Sequence, residues 1–181
     1  MTGVVRLTLV SHAMTDAMAA ARFPADEPLN DRGCRQAAVG FEIKSGTRQL
    51  TAPERRARQT AQLLGLRPVT EPRLADLDCG RWRGSALENV PPADLGVWLT
   101  DPVQAPHGGE SIVDLVERVA AWLASLADNT SHTVAVTHPA VVRAAILVAL
   151  DASPNAFWRI DIKPLSRTVL HWRGAAWTVR I

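Results

Sequence analysis

The chain reads as an α/β protein, a three-layer α/β/α sandwich with a mainly parallel sheet. Strand-length apolar runs alternate with segments of helical pattern, an order that suits parallel strands joined by covering helices. One long stretch, 112–126, carries apolar residues at helical spacing. No internal repeat and no linker-like segment interrupts the 181 residues, a length that suits one domain with a substantial core.

The first strand is expected at 4–10, from its apolar run. Residues 14–29 are expected to form a loop and turn, because Pro24 and Pro28 interrupt any long helix. Asn30 or Asp31 can cap the next helix, which should run to about Phe41. A short second strand at 48–51 precedes Pro53, placed in the first turn of a helix that ends at Leu64 before Gly65. Residues 69–71 supply a third strand.

From 75 to 106 the sequence is rich in Pro, Gly and Asp, with a short helix at 94–99; irregular segments of this kind form lids or pocket walls. Ser111 precedes the amphipathic helix 112–126, whose apolar face is expected to carry Val113, Val116, Val119, Ala120 and Leu123. A fourth strand at 133–137 leads into a helix at 140–150. Residues 166–172 and 177–181 form a hairpin around Gly174, whose edge could pair with that of a second copy to give a homodimer.

Composition excludes several classes. Twenty basic and 18 acidic residues leave a formal charge of +2, too even for a nucleic-acid or anionic-membrane surface. Cys34 and Cys79 are isolated, so neither a disulfide framework nor a zinc knuckle is expected, and a reducing cytoplasm is the expected compartment. The N-terminal apolar run is short and contains Arg6 and Thr8, unlike a secretory leader. The later run 134–150 is broken by His138, Pro139 and Arg143, unlike a membrane span.

Three reactive segments follow strands. His12 comes after the first strand, the basic segment 54–61 after the second, and His138 after the fourth. In such sheets ligands gather beyond the carboxyl ends of the strands, so two imidazoles and an arginine should converge on one edge as a site for phosphate. A metal site built on His12, His107 and His138 would need a spacing that matches no familiar ligand set. No Gly-x-Gly-x-x-Gly follows the first strand, against dinucleotide binding.

In sequence order, six pieces carry a resemblance. They are Leu9-Val10-Ser11-His12-Ala13-Met14-Thr15, Pro28 to Gly33, Thr51 to Ala61, Leu74 to Gly84, Gly108-Gly109-Glu110-Ser111, and Thr137-His138-Pro139-Ala140-Val141-Val142-Arg143. Together the chain resembles the histidine phosphatase superfamily, also called phosphoglycerate mutase-like, over nearly its whole length.

The resemblance implies a phosphoglycerate mutase-like fold and a phosphatase that needs no cofactor or metal and takes a small phosphorylated metabolite or inorganic phosphate. His12 would attack phosphorus and become a phosphohistidine, which water then hydrolyses. Arg56, matching the second pocket arginine, offers a planar fork to two phosphate oxygens. His138 would stabilise charge in the transition state. Asp76 stands where relatives carry the glutamate that protonates the leaving group; Asp78 is the competing candidate. Ser11 and Thr15 would bind substrate through their hydroxyls.

Two positions depart from the family opening. Ser11 replaces an arginine, and losing one preorganised donor typically costs about 10²–10³ in rate. Ala13 replaces a glycine, whose backbone freedom alanine lacks. Two readings stay open: a phosphatase, and a module that keeps the fold and binds a phosphorylated ligand without turnover. A mutase is disfavoured by the absence of a further basic cluster beside the motifs. Specificity would come from 87–107, with Trp98 or Trp82 walling the pocket.

Overall fold

In this computed structural model, residues 4–128 and 131–180 are described. They form a six-stranded sheet, order β3-β2-β4-β1-β5-β6, with strands β1 (Val5–Ser11), β2 (Arg48–Thr51), β3 (Val69–Thr70), β4 (His132–Thr137), β5 (Arg167–Trp172) and β6 (Trp177–Arg180). Neighbours among β3, β2, β4 and β1 are parallel, while β5 runs antiparallel to β1, and β6 to β5. The expected hairpin thus closes one side of a mainly parallel sheet, turning at Gly174 with a φ of 88°.

Among the described residues six α-helices connect or flank the strands: α1 (Asp16–Ala19), α2 (Asp31–Ala37), α3 (Arg55–Leu63), α4 (Pro92–Thr100), α5 (Ile112–Leu126) and α6 (Pro139–Ala149). α2 packs on α3, and α5 on α6. The sheet is sandwiched as the alternation predicts, since β1 and β4 bury Leu7, Leu9, Val10, Val134, Ala135 and Val136 almost completely. Each Leu or Val side chain among them contributes about 1.5–3 kcal/mol of burial.

Several boundaries differ from the sequence expectation. α2 stops at Ala37, short of Phe41, although Asn30 does cap it by accepting from the Gly33 N–H at 2.8 Å. α3 begins at Arg55 with Glu54 as its N-cap, so Pro53 lies outside the helix and the carboxylate of Glu54 is free to turn inward. The stretch 14–29 holds the single turn α1, capped by Thr15. The buried stripe of α5 is Ile112, Leu115, Val119, Trp122, Leu123 and Leu126, rotated from the expected face because the larger side chains take the core. Its start is a capping box between Ser111 and Asp114.

Two close approaches fix the loops around the sheet's upper edge. A Cβ on Gly33 would stand 2.2 Å from the Met14 carbonyl, so only glycine lets α2 lie against the segment after His12. Gly80, at a φ of 47°, packs equally tightly on the His107 carbonyl. No helix among the described residues is long and apolar enough to cross a membrane.

Candidate active site

Parallel pairing brings three strand ends to one edge. The ladder continues past β1 and β2, where His12 N–H donates to the Thr137 carbonyl (2.9 Å) and Ala52 N–H to the Val136 carbonyl (2.8 Å). His12, the Glu54–Arg56 turn and His138 are thereby set side by side.

His12 is buried, 3 % exposed. Its Nδ1 faces the Ala13 carbonyl at 2.8 Å, an acceptor that requires Nδ1–H and leaves Nε2 as the nitrogen with a free lone pair. Burial, then the neighbouring charge of His138, pushes its pKa down to about 3 against the opposing pull of the Ala13 carbonyl. The ring is neutral at ordinary pH, the form a nucleophile needs.

The ring of His138 stands edge-on to that of His12, centroids 5.1 Å apart. His138 is fully buried as the N-cap of α6, with Pro139 in the first turn, a position that costs no hydrogen bond. Its Nε2 lies 2.7 Å from Glu54 Oε2 and its Nδ1 3.4 Å from Asp76 Oδ2.

Arg56, in the first turn of α3, is 2 % exposed and donates from Nη2 to Asp76 Oδ2 at 2.5 Å; its Nη1 has no protein partner. Asp76 is held by three further contacts. Its N–H donates to Glu54 Oε1 (2.9 Å), its Oδ1 accepts from Leu77 N–H (2.8 Å), and its carbonyl accepts from Arg118 (3.4 Å). Burial raises the Asp76 carboxyl pKa, but the charges of His138 and Arg56 outweigh it and hold the group below the usual carboxylate range. Glu54 is likewise lowered, burial being overcome by its bond to His138 and that ring's charge.

A cavity of about 180 Å³ opens beside these groups, and His12, Arg56 and Asp76 are among the residues that line it. Cys79 also lines it, yet burial and the charges of Asp76 and Asp78 push its thiol up to about 12, so it stays protonated and is a poor nucleophile.

The structure thus brings His12, Arg56, His138 and Asp76 together, and three expected residues stand outside that contact cluster. Asp78 is exposed and accepts from the Gly80 N–H at 2.9 Å, and it lines an adjoining pocket with Glu54, Arg56 and Asp76. Ser11 is fully buried with an unpartnered hydroxyl, and it is not part of the cavity lining; successive residues of an extended strand face opposite ways. Thr15 is buried too, its Oγ1 accepting from Met18 N–H at 3.2 Å as the α1 cap. Ala13 is not strained: it is absent from the residues with positive φ, and its N–H donates to Thr60 Oγ1 at 3.0 Å. Trp98 walls the cavity, whereas Trp82 is not in its lining and packs at an angle against Phe23 and edge-on to His107. Among the described residues no cluster of three or more His, Cys, Asp or Glu is arranged to hold a metal ion.

Three residues escaped the sequence reading. Glu54 bridges His138 and the Asp76 backbone. Thr60 donates to the Arg56 carbonyl (2.8 Å) while accepting from Ala13, tying α3 to the His12 loop. Arg118 pairs with Glu110 and donates to the carbonyls of Arg73 and Ala75, clamping the strand of chain that carries Asp76. The basic residue in α5 and the glutamate of the Gly-Gly-Glu-Ser motif were the only signals for that clamp.

Comparisons with known proteins give the family and the fold. A model of the histidine phosphatase superfamily (branch 1) matches residues 7–181. A glucosyl-3-phosphoglycerate phosphatase of Mycolicibacterium vanbaalenii is 30% identical, the alignment covering 96% of this chain and 94% of the relative. Phosphoserine phosphatase 1 of Hydrogenobacter thermophilus is 27% identical, with 93% and 87% covered. Among solved structures, a mycobacterial glucosyl-3-phosphoglycerate phosphatase in complex with VO3 superposes with a TM-score of 0.85 at 25% identity, covering 97% of both chains. The chain belongs to the histidine phosphatase superfamily.

Proposed function

We propose that this protein is a phosphomonoesterase that hydrolyses a small phosphorylated metabolite through a phosphohistidine at His12. The observation that carries the reading is the buried, neutral His12 whose Nδ1–H is committed to the Ala13 carbonyl, beside a guanidinium and a second imidazole. Nε2 attacks phosphorus as the ester oxygen departs. Arg56, through Nη1 and the fork it shares with Asp76, and His138 meet the charge spread over the equatorial oxygens. Asp76 delivers the proton to the leaving oxygen; because its carboxyl is held low without ligand, the dianion of the substrate must raise it. Water then attacks the phosphohistidine, Asp76 taking its proton, and phosphate leaves. Positive charge for the site comes from protein groups, and no step uses a metal ion. Neither Ser11 nor Thr15 is given a contact with the ligand.

A second reading, a phosphate-binding member without turnover, is favoured by the Arg56–Asp76 pair, which occupies part of the fork and holds the proposed acid ionised. Phenyl phosphate hydrolysis at mildly acidic pH, with alkaline quench to preserve a labelled phosphohistidine, separates the two. The enzyme reading expects turnover and label, both lost in His12→Ala. Turnover persisting in that variant would reject the mechanism, and tight phosphate binding with neither turnover nor label would establish the second reading.

A further inference from the structure

Beside the polar cluster, the same cavity carries a chemically different, aromatic part of its lining. Phe23, Trp98, Phe157 and Trp158 wall it, with ring centroids 4.3 Å apart for Trp98 and Trp158 and 4.8 Å apart for Phe157 and Trp158. Arg143 reaches this part from α6, its guanidinium carbon 5.5 Å from the Phe157 centroid and 5.6 Å from that of Trp158. Its Nε donates to the Ile160 carbonyl at 2.7 Å, which fixes the plane of the group and leaves both terminal nitrogens for other partners. Among the described residues it makes no other hydrogen bond and no ion pair.

A half-buried guanidinium without a paired counter-ion is costly, and burial indeed lowers its pKa against the opposing charges of Asp161 and Asp76. An anion brought by a ligand would offset that cost. The surrounding walls offer stacking faces and few hydrogen-bond partners, the polar exceptions being Arg22 and Glu27. A sugar placed here would leave hydroxyls unpaired, whereas a flat apolar body would not.

We propose that the substrate is a phosphomonoester of an aromatic or similarly flat apolar alcohol that carries a carboxylate, with the phosphoryl group at His12 and the carboxylate on Arg143. The proposal rests on the phosphatase reading for its phosphoryl end. Arg143 acts here as a specificity-determining residue, because its tether to Ile160 and its two ring neighbours place it with the aromatic wall, and it makes no hydrogen bond or ion pair with Arg56, Asp76 or His138.

The test compares kcat/KM for 4-carboxyphenyl phosphate, phenyl phosphate and glucose 6-phosphate. A charge-assisted bond predicts at least about a tenfold preference for the carboxylated ester over phenyl phosphate, and a larger one over the sugar. Arg143→Met should bring the first ratio to about one, Arg143→Lys should retain part of it, and Trp158→Leu should narrow the preference for aryl esters over the sugar phosphate. Equal kcat/KM for the two aryl esters in the wild type overturns the proposal. So does an Arg143→Met variant that loses both equally and weakens inhibition by inorganic phosphate, since Arg143 would then belong to the phosphoryl end. If no ester is hydrolysed, the phosphatase reading fails while calorimetry with 4-carboxyphenylphosphonate and phenylphosphonate still decides: an Arg143-dependent tenfold difference in Kd supports the carboxylate site, and equal Kd values overturn it. Near-UV circular dichroism of the tryptophans checks folding, and Arg143→Lys carries the comparison should the methionine variant unfold.

Discussion

Glu54 and His138, 84 positions apart in sequence, meet at 2.7 Å, with the carboxylate on the Nε2 side of a fully buried ring. The other oxygen of Glu54 accepts from the Asp76 N–H, so one side chain orients both the second imidazole and the proposed acid. Replacing Glu54 by Gln leaves the shape but lets an amide N–H face Nε2, which favours the opposite ring tautomer. By analogy with carboxylate-to-amide changes beside catalytic histidines, kcat for phenyl phosphate should fall at least about tenfold. Steady-state assays on the folded variant check this, and an unaltered kcat would show that Glu54 only packs.

The two candidate acids are separable by leaving group. Asp76→Asn should slow an alkyl phosphate by about 10²–10⁴, yet affect 4-nitrophenyl phosphate far less, because nitrophenolate leaves without a proton. Asp78→Asn, altering an exposed residue bonded to Gly80, should change either rate by less than about threefold. A reversed pattern would move the role to Asp78.

Thr60→Val keeps volume but removes the acceptor of the buried Ala13 N–H. An unpaired buried donor costs about 1–3 kcal/mol, so the urea midpoint should drop with an unchanged slope, and kcat should fall as the His12 loop loosens. Thr60→Ser should recover most of both. Wild-type stability in the valine variant would mean that the hydroxyl bridge between Arg56 and Ala13 carries no energy.

Stability should also rise with pH because of His12. Its pKa is about 3 when folded and near 6.5 when unfolded, so between those values the unfolded chain binds the extra proton and the slope of unfolding free energy against pH is positive. One group contributes up to about 1.4 kcal/mol per pH unit there, with the stabilisation fully present above 6.5 and lost as pH falls through the window. Asp76 and Glu54, also lowered, add losses only nearer the ordinary carboxylate range. Denaturant titrations of wild type and His12→Asn from pH 4.5 to 7.5 compare the slopes, and equal slopes would contradict a buried neutral ring.

The strand-then-helix order and the placement of His12, Arg56 and His138 were legible because each follows an apolar strand, and parallel strands put their ends on one edge. The roles of Glu54 and Thr60 were not. Glu54 sits in a charged run that reads as an ordinary solvated helix start, and placing Pro53 inside that helix hid the cap position that aims its carboxylate inward. Ser11 and Thr15 share a motif with His12, but adjacency along an extended chain says little about facing the same space, and both turn into packed interior. The aromatic wall was half visible: Trp98 falls in the expected specificity segment, while Phe157 and Trp158 come from a late turn with no helical or strand pattern.

Because the proposed nucleophile, the guanidinium fork and the second imidazole sit on segments that only β1, β2 and β4 together can align, no fragment or half-assembled intermediate holds the full set. Any hydrolysis measured in a sample therefore counts complete molecules, which makes turnover a more demanding gauge of correct assembly than helical content or compactness.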